Sequence, residues 1–278
     1  MKTVLVFHSF SAHGHMAVNV LLPILKTGGL DPTYVPTTLL SAHTAYVQPV
    51  IEPQDDFVRS SLAHFETLGL SFDALMSGYC FSVDLIGEIE HYFQQHPTSF
   101  KVVDPVLGDH GQLYTGLTSD HVQAFQKLIQ SADLITPNVT EALLLANVPV
   151  QKEPYLSSEQ LDTLVDNLSA LTKAVIVVKG VVVEENFLTN LIIKDGAILN
   201  QFSHVRRPQQ YYGSGDLFVS LLTVHLLGGM DLETAVKRCG ELLLEALDDS
   251  VNDPENLKKG IEIHSILPKI YFPKNEER

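Results

Sequence analysis

Short runs of apolar, often β-branched residues alternate along this chain with longer segments in which apolar residues return every three or four positions. The runs Thr3 to His8, Thr33 to Pro36, Ala74 to Ser77, Lys101 to Val103, Leu134 to Thr136 and Ala174 to Val178 have the length and residue types of buried strands. Between them, Met16 to Lys26, Phe57 to Leu68, Asp84 to Gln95, Ser119 to Ser131 and Glu159 to Leu171 carry the spacing of amphipathic helices. This alternation predicts an α/β fold, a central mostly parallel sheet with helices on both faces and ligands received at the carboxyl ends of the strands. After Val178 the pattern changes. Phe187 to Lys194 and Ala197 to His204 flank Asp195-Gly196, the signature of an antiparallel hairpin. A helix opening at Gly213-Ser214-Gly215-Asp216 follows, then helical stretches from Asp231 to Leu247 and Pro254 to Leu267, and a polar end, Pro273 to Arg278, expected to fray.

The 278 residues give room for one large domain, and no linker, low-complexity tract or repeat divides them, so 1–278 is expected to fold as one unit. Acidic residues outnumber basic ones 33 to 18, a formal net charge of -15 that disfavours nucleic acid and anionic membranes as partners. An anionic substrate therefore needs local help from backbone N–H groups, Lys179 or a divalent cation. Cys80 and Cys239 stand far apart, outside any Cys-x-x-Cys motif, and read as buried thiols. The apolar run after Met1 is too short for a signal peptide, and no stretch reaches transmembrane length, which makes a cytoplasmic location the expectation.

Chemistry is sought at the strand ends. At Gly213-Ser214-Gly215-Asp216 two glycines open a helix whose free N–H groups and partial positive charge suit a phosphate. Asp216 there either caps the helix or takes a proton from a hydroxyl that attacks the phosphate. Asn138 and Glu141 form a capping-box pattern, and with Asp104 they are also oxygen donors of the kind Mg²⁺ accepts. His8, His13 and His15 raise a metal-site reading, against which no carboxylate ligand stands nearby in sequence; contacts with solvent or substrate are the alternative. Neither Gly-x-x-x-x-Gly-Lys-Ser/Thr nor Gly-x-Gly-x-x-Gly after the first strand is present, so nucleotide binding needs another architecture.

Asp104-Pro-Val-Leu-Gly-Asp109, Thr136-Pro-Asn-x-x-Glu141 and Gly213-Ser-Gly-Asp-Leu-Phe218, in this order, resemble the ribokinase-like kinases, and most of all their pyridoxal/pyridoxine/pyridoxamine kinase branch. Ser9, Gly14 to Pro23, Ser41 to Thr44 and Ser77-Gly78-Tyr79 resemble that branch's vitamin-binding elements, so the likeness covers nearly the whole chain. It implies Asp216 as the base for the 5′-hydroxymethyl group of a B6 vitamer. Gly213, Ser214 and Gly215 would form the anion hole for the γ-phosphoryl group of ATP, with Asp104 and Lys179 beside the phosphates. Asp104, Asn138 and Glu141 would position Mg²⁺, the latter two through water. Ser9, Thr44 and Tyr79 would hold the pyridine ring, Asp109 to Tyr114 would be a mobile flap over ATP, and the assembly would be a homodimer.

Two positions depart from the branch. Ala45 stands where many relatives have Gly, and Lys179-Gly180 resembles hydroxymethylpyrimidine kinases, whereas pyridoxal kinases usually place Thr or Ser there. Those pyrimidine kinases usually have Cys where this chain has Asp216. A hydroxymethylpyrimidine kinase is therefore the rival within the class, and a non-catalytic ligand-binding protein on the same fold the rival outside it. Asp216, Glu141 and the glycine turn together argue against the latter, since a protein that only bound the vitamer has no use for a base at a phosphate site.

Overall fold

The computed structural model describes residues 1–152, 154–207, 209, 211–250 and 254–270; Pro273 to Arg278 lies outside them. The strands are β1 (Thr3–Ser11), β2 (Asp31–Leu40), β3 (Ile51–Pro53), β4 (Ala74–Ser77), β5 (Phe100–Val103), β6 (Gly108–Asp109), β7 (Gln112–Leu113), β8 (Leu134–Ile135), β9 (Val175–Glu184), β10 (Phe187–Lys194) and β11 (Ala197–Val205). Nine of them form one sheet in the order β11-β10-β9-β8-β5-β4-β1-β2-β3, while β6 and β7 pair separately. From β9 to β2 every pairing is parallel; β10, β11 and β3 add antiparallel edges.

The helices are α1 (Val18–Thr27), α2 (Asp55–Thr67), α3 (Val83–Gln95), α4 (Ser119–Leu128), α5 (Val139–Leu145), α6 (Ser158–Leu171), α7 (Ser214–Leu227), α8 (Leu232–Asp249) and α9 (Pro254–Lys259). Side-chain alternation divides the core. Val4, Val6, Met76, Val102 and Val177 pack with α1, α7 and α8, while Leu5, Phe7, Leu75, Val103 and Val178 pack with the layer that includes α3, α4 and α5. Central strands buried on both faces explain why the sequence shows continuous apolar runs rather than a polar-apolar alternation. α7 is apolar all round for the same reason: it lies between α1, α8 and the sheet, buried from Asp216 to His225.

Several boundaries shift. β1 and β2 run on to Ser11 and Leu40, and β9 reaches Glu184 because it continues into the hairpin with β10. The Asp195-Gly196 turn is as the sequence predicts, with φ 51° and 80°. The helix expected from Pro254 to Leu267 stops at Lys259. Gly260, at φ +114°, instead runs against the backbone of His15, where a Cβ would collide with the His15 carbonyl. β3, β6 and β7 are two or three residues long, too short to leave a periodic signal.

Candidate active site

The carboxyl ends of β1, β5 and β8, the middle of β9 at Lys179-Gly180 and the start of α7 surround one cavity of about 680 Å³. Ser9, Thr44, Tyr79, Asp104, Asn138, Glu141, Lys179, Gly213, Ser214, Gly215 and Asp216 all line it. Every site residue expected from the sequence is thus brought to one place.

The start of α7 carries no side-chain cap. Gly213 precedes it at φ +82°, and a Cβ there would come within 2.7 Å of the His15 carbonyl oxygen, so only glycine fits this turn without strain. Ser214 turns its hydroxyl away, donating to the Tyr211 carbonyl at 3.1 Å. Asp216 does not cap its own helix either. Its Oδ2 accepts the Ala17 N–H at 2.6 Å, at the start of α1, and its Oδ1 accepts His8 Nε2–H at 3.1 Å. Ala17 adopts φ 51° to aim that N–H, an uncommon conformation for a residue with a Cβ. Burial pushes the Asp216 carboxyl upward, but His8, the Ala17 N–H and the Lys179 charge outweigh it, and the group is held below the usual carboxylate range. The carboxylate is thus kept in its ionised form at the uncapped start of α7.

Lys179 continues β9 beyond Val178, and its ammonium bonds Asp104 Oδ1 at 2.8 Å. The same oxygen accepts the Thr136 hydroxyl at 2.9 Å. A Cβ on Gly215 would lie 3.3 Å from Lys179 Nζ, which places this cation directly beside the glycine turn. Burial pulls the Lys179 ammonium down, yet Asp104, Glu141 and Asp216 together raise it above its ordinary value, so it stays charged.

α5 starts in the opposite way. Asn138 Oδ1 accepts the Glu141 N–H at 3.0 Å and Glu141 Oε2 accepts the Asn138 N–H at 2.7 Å, a complete capping box. Glu141 Oε1 accepts the Leu107 N–H at 3.2 Å, and Asn138 Nδ2 donates to the Gly108 carbonyl at 2.8 Å. Burial, with Asp104 and Asp109 adding to it, raises the Glu141 carboxyl well above its ordinary value against the opposing Lys179 charge and Asn138 N–H. A carboxyl in that condition gains from a nearby cation, and the oxygen-only set of Asp104, Asn138 and Glu141 suits Mg²⁺ bound through water. Among the described residues no group of three or more His, Cys, Asp or Glu is arranged to hold a metal directly. Of the three histidines near the N-terminus, His8 is engaged with Asp216, His13 packs on Tyr46, and His15 faces Glu262.

The Tyr79 hydroxyl, on a residue that also lines the cavity, is buried without a hydrogen-bond partner, its phenol pushed upward by burial. A buried hydroxyl left in that state costs stability unless a polar atom reaches it. The segment Asp109 to Tyr114 overlaps the β6-β7 hairpin, which runs from Gly108 to Leu113, turns at His110-Gly111 and is tied to α5 by the Gly111 N–H donating to Thr140 Oγ1 at 2.9 Å. Both cysteines are free and buried, with the Cys80 thiol pushed up to about 12.

Sequence reasoning missed the part played by His8, Ala17, Thr136 and Gly78. For His8 a signal existed: on β1 it shares the parity of Val4 and Val6, which face α7. For Ala17 there was none, because its contribution is a backbone N–H.

A sequence model described as phosphomethylpyrimidine kinase matches residues 24–260. The pyridoxine/pyridoxal/pyridoxamine kinase of Bordetella avium is 30% identical over 250 residues, covering 84% of this chain and 81% of that protein. The crystal structure of pyridoxal kinase from Lactobacillus plantarum superposes with a TM-score of 0.89 at 32% identity, over 97% of this chain and 96% of the other. Pyridoxal kinase from Leishmania donovani, solved with ADP and pyridoxamine, shares the fold at 19% identity, with a TM-score of 0.87 over 97% and 96% of the two chains. With a matched segment that takes in every strand of the sheet but β1, together with the glycine turn and the α5 start, the chain belongs to the phosphomethylpyrimidine kinase family, in the ribokinase-like group that includes the pyridoxal kinases.

Proposed function

We propose that the protein transfers the γ-phosphoryl group of ATP to the 5′-hydroxyl of pyridoxal, pyridoxine or pyridoxamine, with Asp216 as base. One observation carries this reading: an ionised carboxylate at the uncapped start of α7, beside Lys179, in the same cavity as the unpartnered Tyr79 hydroxyl. The acceptor hydroxyl gives its proton to Asp216 as its oxygen bonds the γ-phosphorus and the bond to the ADP oxygen breaks. N–H groups after Gly213 and the Lys179 ammonium receive the charge that spreads over the phosphoryl oxygens. Ser9, Thr44 and Tyr79 orient the ring, and the hairpin 109–114 covers the nucleotide side. Asp104, Asn138 and Glu141 would hold Mg²⁺ through water, and the ion would supply further neutralisation of the phosphates.

The second reading, a hydroxymethylpyrimidine kinase, is favoured by Lys179-Gly180 and by the description of the matching family. ADP release with pyridoxal, pyridoxine, pyridoxamine, hydroxymethylpyrimidine, ribose and fructose decides between them. The B6 reading expects kcat/KM for a vitamer at least ~10²-fold above either sugar, since Ser9 to Val20 and Leu39 to Val50 carry no Asp, Glu, Lys or Arg and only Asn19 and Gln48 of the amides a sugar site needs. Preference for the pyrimidine moves the enzyme to the second reading, and faster turnover of a sugar overturns both.

A homodimer is part of the same proposal. Phe10 and Leu39, paired across β1 and β2, are exposed, as are Val47 at 87% and Val50 at 66% in the β2-β3 connection. That apolar margin supports a second copy docking there; light scattering at twice the chain mass is the expected result. A cytoplasmic location belongs to the proposal as well. Among the described residues no helix is long and apolar enough to cross a membrane, and cell fractionation tests the location itself.

A further inference from the structure

His8 is 1% exposed, and its imidazole is fixed at both nitrogens. Nδ1 accepts the Ser9 N–H at 2.8 Å, so Nδ1 carries the lone pair and the neutral ring bears its proton on Nε2. That proton points at Asp216 Oδ1, 3.1 Å away. The backbone is shaped to allow this. The β1-β2 register slips between His8 and Ser9, with Thr37 the extra residue on β2. Opposite, Gly78 follows β4, and a Cβ on it would overlap the imidazole at Cδ2 and Nε2. Gly78 is thus the space in which the ring lies.

Resting on the assignment of Asp216 as base, we infer that His8 is a positioning residue that holds Oδ1 and thereby turns the carboxylate's remaining lone pairs toward the acceptor hydroxyl. With Ala17 N–H on Oδ2 and His8 on Oδ1, the carboxylate is clamped at both oxygens before substrate arrives, leaving little reorganisation for the reaction. His8 is no relay. Its Nδ1 lone pair is already occupied, so the proton taken from the acceptor stays on Asp216 until the product leaves.

The experiment is a set of cycles on the full chain, read as separate kcat and KM values for ATP and pyridoxal, with melting temperature as a folding control. His8→Ala is expected to lower kcat ~10- to 100-fold, the range for losing a hydrogen bond to a charged group, with both KM values within ~3-fold. His8→Gln, which keeps an N–H donor at similar reach, should recover most of that loss. Gly78→Ala should lower kcat in the wild-type chain by displacing the ring and be nearly neutral in the His8→Ala chain, where the space is free. In the Asp216→Asn background His8→Ala should add no further loss. Full kcat in a folded His8→Ala protein, or an equal loss with and without Asp216, overturns the positioning role. A failure of the base assignment looks different: Asp216→Asn itself would then keep near-wild-type kcat.

Discussion

Two helix starts face the same cavity and are built in opposite ways. At α5 a side chain satisfies the backbone: Asn138 and Glu141 close a capping box, and no N–H is offered to a ligand by those two residues. At α7 no side chain does so, and the Asp that sequence would make a cap is pulled away to α1 and β1. Their carboxyls diverge accordingly. Both are buried and both accept two hydrogen bonds, yet Asp216 is held low by His8, the Ala17 N–H and Lys179 while Glu141 is driven high by burial and by Asp104 and Asp109. Similar burial therefore does not decide the state of a carboxyl; the neighbouring charges and donors do. The open start with an ionised acid fits proton abstraction beside a phosphate, and the closed start with an acid short of positive charge fits the surroundings of a cation.

The largest expected effect breaks the α7 side of this contrast. Asp216→Asn is close in volume and should lower kcat at least ~10²-fold with the fold intact, as loss of a positioned base does; single-turnover ADP formation measures it, and near-wild-type kcat removes Asp216 from the mechanism. Next comes the turn itself. Gly213→Ala puts a Cβ at φ +82° against the His15 carbonyl, which should cost ~1–2 kcal/mol in stability and raise the KM for ATP. An unchanged denaturation midpoint would show that the turn tolerates a side chain.

On the α5 side, Asn138→Ala should cost ~1 kcal/mol by removing a cap, a loss visible in thermal denaturation. Glu141→Gln separates the two roles of that residue: the amide oxygen can still accept the Asn138 N–H while the NH2 is left facing the Leu107 N–H, so the melting temperature should fall modestly, and the Mg²⁺ concentration for half-maximal rate should rise several-fold. A lower melting temperature with unchanged Mg²⁺ dependence would leave Glu141 a cap alone.

The smallest effect is in the pH dependence. Because the folded Asp216 carboxyl lies below its unfolded value near ~3.9, its ionised form contributes stability that is complete above that pH and lost as pH falls through the folded value. Acid titration of wild type should therefore show a steeper loss below pH ~4 than Asp216→Asn shows. Equal slopes would mean the clamp on Asp216 does not favour its ionised form.

The sequence by itself determined the parallel sheet, because strands buried on both faces need long apolar runs, and it determined the hairpin after Val178 through Asp195-Gly196. It also pointed to one edge of that sheet for Ser9, Tyr79, Asp104, Asn138 and Glu141, which lie at or just past the carboxyl ends of parallel strands, whereas the turn at Gly213 to Asp216 reaches the same cavity only through the packing of α7. What it left open was what each polar group does. The residues at Asn138 and Glu141 allowed a cap or a cation site, and only the folded chain shows the cap closed and the carboxyl raised. His8 next to Ser9 carries no message about a residue more than two hundred positions away. The His8-Asp216 contact arises from strand parity and the missing Cβ of Gly78. Local pattern fixes which residues are buried and where chains turn, whereas hydrogen-bond partners and carboxyl ionisation depend on distances between segments far apart in sequence, which only tertiary packing sets.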